Sequence, residues 1–221
     1  MAGLQVTTEP TAEPLSLQEV KEYLRVDDST DERVVRPLIE TARRWAETHM
    51  NRSIMSQTLT LQVDAFDELA EPLWEGSRQR PADLNYYKRY ISLPRPTVTS
   101  VTSVSTFNDS DTETTFASSK YYVDTAREPA RIVLRKGETF PTALRVANAI
   151  KVVYVSGYTN AYSVPEPIRM GMLQHIAFMY EQRGDNVDYL QHRELPRMIK
   201  SLYAPFVVYY GLSGSPLMQL G

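Results

Sequence analysis

The chain has 221 residues, 24 Lys+Arg against 27 Asp+Glu, a formal net charge of −3 and no cysteine. That length supports a sizeable core without staples, and the missing cysteines exclude disulfides, thiolate metal sites and cysteine nucleophiles. A mildly acidic chain argues against tight electrostatic binding of nucleic acid or of an anionic membrane, and three histidines (His49, His175, His192) leave little room for histidine-rich metal chemistry.

Residues 1–14, MAGLQVTTEPTAEP, lack a basic start and a long apolar run, so they read as a flexible arm and not as a signal peptide. No stretch reaches ~18 continuous apolar residues, which predicts no membrane-spanning helix and a cytoplasmic address. Ser16-Leu-Gln-Glu19 is a capping box that opens a helix over 16–26, with Leu17, Val20 and Leu24 on one face. Asp27-Asp28-Ser29-Thr30 breaks it, and Ser29 with Glu32 forms a second box for a helix over 30–50. Its stripe is Val34, Val35, Leu38, Ile39, Ala42, Trp45 and Ala46; Pro37 should kink it or delay its start, and Asn51 is placed to end it in a left-handed conformation.

A β region is expected over 53–157. Thr58–Val63 alternates and reads as a strand; residues 64–90 read as a long loop or arm; Tyr90–Leu93 is a short strand stopped by Pro94 and Pro96. Val98, Val101, Val104 and Phe107 recur every three residues, yet the Ser/Thr/Val density favours a strand with an irregularity. Strands at about 114–123, 130–134 and 148–156 complete a small antiparallel insertion. A third helix is expected over 165–183, with so broad an apolar girth that it should be buried on most sides, and with Gly171 permitting close approach of another backbone. A last helix covers 194–203, followed by an uncharged aromatic tail, 206–221.

No GxSxG, HExxH, P-loop or GxGxxG pattern is present. Asp27, Asp28 and Asp31 lack the glycine a calcium loop needs, since Glu32 stands in its place, and read as helix-capping carboxylates. His175 sits mid-helix among apolar residues and reads as a core or interface histidine, while His49 and His192 read as solvated. Asp64, Asp67, Glu68, Glu71 and Glu75 form an acidic stretch, either a solvated loop or a surface facing a partner or lumen. Arg33, Arg36, Arg43, Arg44 and Arg52 cluster on the second helix, and the first four interleave with Glu32, Glu40 and Glu47, as on an exposed salt-bridged face that could contact a neighbouring copy. The tail's Phe206, Val207, Val208, Tyr209, Tyr210, Leu217, Met218 and Leu220 fall in a segment without a charge. Such a segment docks either on the protein's own core or on a partner, by adding a strand to a sheet edge.

In order and spacing, four passages carry a resemblance to a known family. They are Leu15-Ser-Leu-Gln-Glu-Val-Lys-Glu-Tyr-Leu-Arg-Val26 with Asp27-Asp28; Leu38-Ile-Glu-Thr-Ala-Arg-Arg-Trp-Ala-Glu47 ending at Met50-Asn51-Arg52; Ile91-Ser-Leu-Pro-Arg-Pro96 with Val98 to Val104; and Val153-Tyr-Val-Ser-Gly-Tyr158 with Val164-Pro-Glu-Pro-Ile-Arg169. Together they resemble the head–tail connector (adaptor, or head-completion) proteins of long-tailed bacteriophages, over about residues 15–205. The resemblance implies an α+β fold that is mainly an α-helical bundle of about four helices, with a small inserted antiparallel β region and an extended C-terminal tail.

It also implies a non-enzymatic virion protein without cofactor, metal or membrane partner. Such a protein forms a ring, commonly dodecameric, beneath the portal, extends the DNA channel and offers a platform to a stopper or tail-completion protein. Double-stranded DNA passes without specific binding, and the address is the virion neck, with assembly in the host cytoplasm. On this reading Phe206, Tyr209, Tyr210, Leu217 and Met218 contact the portal. Asp64, Asp67, Glu68 and Glu71 lie on a lumen-facing or tail-facing loop, and Arg36, Arg43, Arg44 and Glu47 lie between subunits. Two competitors are a small hydrolase or metal-dependent enzyme using His175 with Glu181 or Asp185, and a nucleic-acid-binding regulator using the arginines of the second helix.

Overall fold

The computed structural model describes residues 3–26, 32–65, 90–181, 195–210 and 216–217. They fall into two compact units, one built from residues up to Glu9, Gln57–Gly157 and the segment from Val208 on, the other from Pro10–Ser56 and Tyr158–Val207. Among the described residues 36% are helical and 28% lie in strands. The expectation of a mainly helical bundle is therefore wrong: the fold is mixed α+β.

The reason lies in the first unit, which has a core of its own. Strands β1 (Gly3–Thr8), β2 (Gln57–Val63), β8 (Ile150–Ser156), β4 (Val98–Phe107) and β5 (Glu113–Thr115) form an antiparallel sheet in the order β1-β2-β8-β4-β5. Strands β3 (Tyr90–Ser92), β7 (Arg131–Leu134) and β6 (Tyr121–Asp124) form a second antiparallel sheet, order β3-β7-β6. Burial alternates strictly along β2 and β8, as a period of two demands when one sheet face is covered. Their register sets Leu59 opposite Tyr154, Leu61 opposite Val152 and Val63 opposite Ile150. Ile91, Ile132 and Leu134 of the second sheet share the same core. Each such side chain contributes about 1.5–3 kcal/mol on burial, so this region is no accessory to the helices.

The triplet spacing in β4 has a physical cause. Its register against β8 shifts between Val98 and Ser100 and again between Val101 and Ser103. Each bulge inserts one extra residue, which turns a period of two into three and keeps Val98, Val101 and Val104 packed on the core. Two expectations fail here. The stretch 114–123 is not one strand: β5 and β6 belong to different sheets, with a 3₁₀ turn at Ser118–Lys120 before β6. Residues 3–8, expected within a flexible arm, form β1 on the edge of the larger sheet, with Leu4 opposite Leu61 and Val6 opposite Leu59.

The second unit holds α1 (Leu17–Leu24), α2 (Glu32–Met50), α3 (Glu166–Glu181) and α4 (Arg197–Tyr203). Ser16 caps α1, its Oγ accepting from the Glu19 amide at 3.1 Å, but the Glu19 carboxylate does not close the box; it accepts from Arg169 Nη2 at 2.6 Å. Arg25, at φ 56°, ends α1 and Asn51, at φ 51°, follows α2, both left-handed. Pro37 lies inside α2, and the Thr41 hydroxyl donates to its carbonyl at 2.7 Å. Val35, Ile39, Ala42, Ala46 and Met50 of α2 share a core with Ile168, Met172 and Ile176 of α3. Gly171 is needed for an aromatic ring and not for a backbone: a Cβ there would stand 2.7 Å from Cε1 of Tyr203 on α4.

Candidate docking and assembly sites

The residues expected between subunits divide into two groups. Arg36 and Arg44 are exposed, and Arg44 pairs with Glu40 at 2.9 Å one turn earlier. Arg43 and Glu47 are not on an exposed face; they are 2% and 4% exposed. Arg43 Nε donates to Glu13 at 2.8 Å and Nη1 to Glu47 at 3.2 Å, while the other Glu47 oxygen accepts from the Ile54 amide at 2.8 Å. The sequence shows the i,i+4 pair but not the third member, Glu13, which lies thirty residues away. A buried guanidinium without such partners would be costly, so the cluster fixes the 13–15 segment, α2 and the turn after it in one arrangement.

Arg52, expected with the exposed basic residues of the second helix, is instead buried and donates from Nε to the Phe206 carbonyl at 3.3 Å. Phe206 and Val207 pack against the core of the helical unit. The start of the uncharged segment is thus anchored by a charge-assisted hydrogen bond and by apolar contact. Beyond it, β9 (Tyr209–Tyr210) pairs antiparallel with β10 (Pro216–Leu217), Tyr209 opposite Leu217 and Tyr210 opposite Pro216. Met218 lies outside the described residues.

Of the acidic stretch, Asp64 is described; Asp67, Glu68, Glu71 and Glu75 lie outside the described residues. Asp64 accepts from the Asn148 amide at 2.7 Å, which holds its carboxyl below the usual range and ties the end of β2 to the start of β8.

His175 is 5% exposed and meets Trp45 edge-on, ring centroids 5.1 Å apart; its Nδ1 has no hydrogen-bond partner. Burial pushes its pKa down. His49 is not simply solvated: it stacks on Trp45 at 4.8 Å, and burial first, then the charge of Lys200, lowers its pKa. Tyr203 lies 6.0 Å from Trp45 with its hydroxyl unpartnered, and burial raises its pKa. This is a packed aromatic group closing α2, α3 and α4. Glu181 is exposed, and Asp185 and His192 lie outside the described residues. Among the described residues no three His, Asp or Glu side chains are grouped to hold a metal ion, and no helix is long and apolar enough to cross a membrane.

Against this geometry, no protein-family model and no curated protein matches the chain. Its fold, however, matches solved chains from gene transfer agent (GTA) particles. A chain in the neck of an empty GTA particle computed with C6 symmetry aligns at a TM-score of 0.70 and 17% identity, covering 96% of this chain and 98% of that one. A chain in the virion of a native GTA particle aligns at 0.67 and 15% identity, and one in the neck of a native GTA particle computed with C12 symmetry at 0.62 and 18%, each with the same coverage of both chains. The chain therefore has the fold of GTA neck and virion components, consistent with the resemblance to head–tail connectors.

Proposed function

We propose that this chain is a structural subunit of a virion neck: a ring-forming head–tail adaptor that binds beneath the portal, extends the DNA channel and offers a docking platform to a stopper or tail component. The observation that carries this reading is the whole-length fold match to neck chains of particles computed with C6 and C12 symmetry. Repeated copies around an axis call for heterologous contacts that close a ring. The exposed Arg36 and Arg44 are offered for those contacts. Arg43 and Glu47 act one step back, by holding α2 in place. The mild negative charge suits a conduit, because a surface that neutralised many phosphates would release counterions and retain the DNA.

The portal contact is assigned to the uncharged segment, with Tyr209, Tyr210, Leu217 and Met218 as contact residues and Phe206 as its inner anchor. Asp64 and the acidic residues after it are assigned to the lumen or the tail-facing side. Truncation after Val207 tests the portal assignment while sparing the anchored residues. The truncated chain should keep its thermal midpoint and lose co-sedimentation with cognate portal. Undiminished co-sedimentation would remove the segment from the portal contact.

A further inference from the structure

Two elements of the first unit are incomplete by the ordinary rules of β-structure. The first is β1, an edge strand. Natural edges are blunted by charges, prolines or shortness, because a bare row of N–H and C=O groups invites another strand. The other described edges obey this: β5 is three residues long and carries Glu113, bonded to Lys151 at 2.6 Å; β3 is three residues long; β6 carries Asp124, paired with Arg131 at 2.8 Å. By contrast β1 is six residues, Gly-Leu-Gln-Val-Thr-Thr, with neither charge nor proline; its one irregularity is a register shift between Val6 and Thr8, which leaves Gly3 to Val6 in regular pairing. The core face also runs out onto it. Leu4 and Val6 stand opposite the buried Leu61 and Leu59, and Leu4 remains 38% exposed.

The second is the hairpin of β9 and β10. It forms a two-stranded sheet of its own, joined to neither larger sheet, and each strand is two residues long. A hairpin of that size is marginal in water unless a further strand or a packing surface supports it. The segment bearing it, 201–221, has no charged side chain.

We infer that the β9–β10 hairpin of one copy pairs through its main chain with the β1 edge of the next copy, so that each subunit completes its neighbour's sheet. This rests on the ring reading above and deepens it. The contact is heterologous, edge to hairpin, so it repeats around an axis and closes. Neither side carries a charge that would need desolvation, and an added strand would cover Leu4. Pairing uses main-chain groups, so one face of the added strand stays available for the portal.

The cysteine-free sequence makes the test direct. Paired strands bring Cα atoms to about 4.5–5.5 Å, within disulfide range. Full-length chains carrying Gln5→Cys with Val208→Cys, Tyr209→Cys or Tyr210→Cys are assembled on cognate portal, oxidised, run on non-reducing gels and imaged in parallel. At least one pairing should give a reductant-sensitive ladder beyond the dimer, while single-cysteine chains stop at dimer. Leu4→Lys, added to that pair, should cut the multimers at least tenfold with little change in thermal midpoint. Rings without a ladder would overturn this contact and leave the ring intact. A fast-migrating monomer alone would show the hairpin returning to its own sheet, and would overturn the intermolecular pairing. No ring and no ladder would remove both readings.

Discussion

The two units solve burial in opposite ways. Among the described residues, the β unit hides an almost wholly apolar core, and its buried polar side chains (Gln57, Ser105, Thr106, Ser156) are uncharged. The helical unit buries Arg43, Glu47, Arg52 and His175, and leaves Ser53 Oγ, Arg169 Nε, Gln174 Oε1, His175 Nδ1 and Tyr203 Oη without partners, against Thr97 Oγ1 among the described residues of the β unit. A sheet can satisfy its main chain by ladder bonds alone. The helical unit must also join its helices to irregular segments, and here long charged side chains make those joints. Robustness should therefore differ: the β unit should yield to the loss of apolar volume, the helical unit to the loss of one partner in a network.

The largest expected effect follows from Glu47→Ala. It removes one carboxylate from a buried guanidinium and unpairs the Ile54 amide, and should cost about 3 kcal/mol in chemical denaturation. A double-mutant cycle with Arg43→Ala should return strong coupling; additive losses would mean that the pair is merely adjacent. Next is Gly171→Ala, which drives a methyl into the Tyr203 ring and should cost about 2 kcal/mol, with partial recovery when Tyr203→Leu is added. Ser16→Ala should cost only about 1 kcal/mol, the ordinary loss of an N-cap.

The gentlest probe is pH, and it separates the units. His175 and His49 have folded pKa values below the ordinary 6.5, so the unfolded chain takes up protons first. The helical unit should weaken as pH falls below about 6.5, and His175→Phe should flatten that slope. In the β unit Asp64, Glu113 and Asp124 are depressed by hydrogen bonds and cations. Their contribution is present above the ordinary values of 3.8 and 4.5 and fades only below them. Hydrogen exchange resolved by segment reads both windows; simultaneous loss of protection would refute the separation.

What the sequence made legible follows from range. The Ser16 cap, the Asn51 terminator and the alternation of β2 are local, and each reads correctly from a few residues. The triplet in β4 was legible as an irregular strand because β-branched density outweighs period. The weight of the β unit was not legible, since its larger sheet forms through pairings such as β2 with β8, about ninety residues apart, and the second sheet joins it by burying Ile91, Ile132 and Leu134 in the same core. Leu4 and Val6 alternate, yet five polar or small neighbours and two nearby prolines hid β1. Among the candidate docking residues, the absence of charge over 206–221 is plain from composition. The Glu13–Arg43–Glu47 cluster and the Arg52 anchor are not, because an arginine's burial depends on partners that only the fold brings near.

Electron microscopy of the purified chain mixed with cognate portal tests the neck-subunit account most directly. The account predicts a closed ring of added density beneath the portal, with sixfold or twelvefold order and an open axial channel. A portal with no added density, beside a chain that stays monomeric, would contradict it.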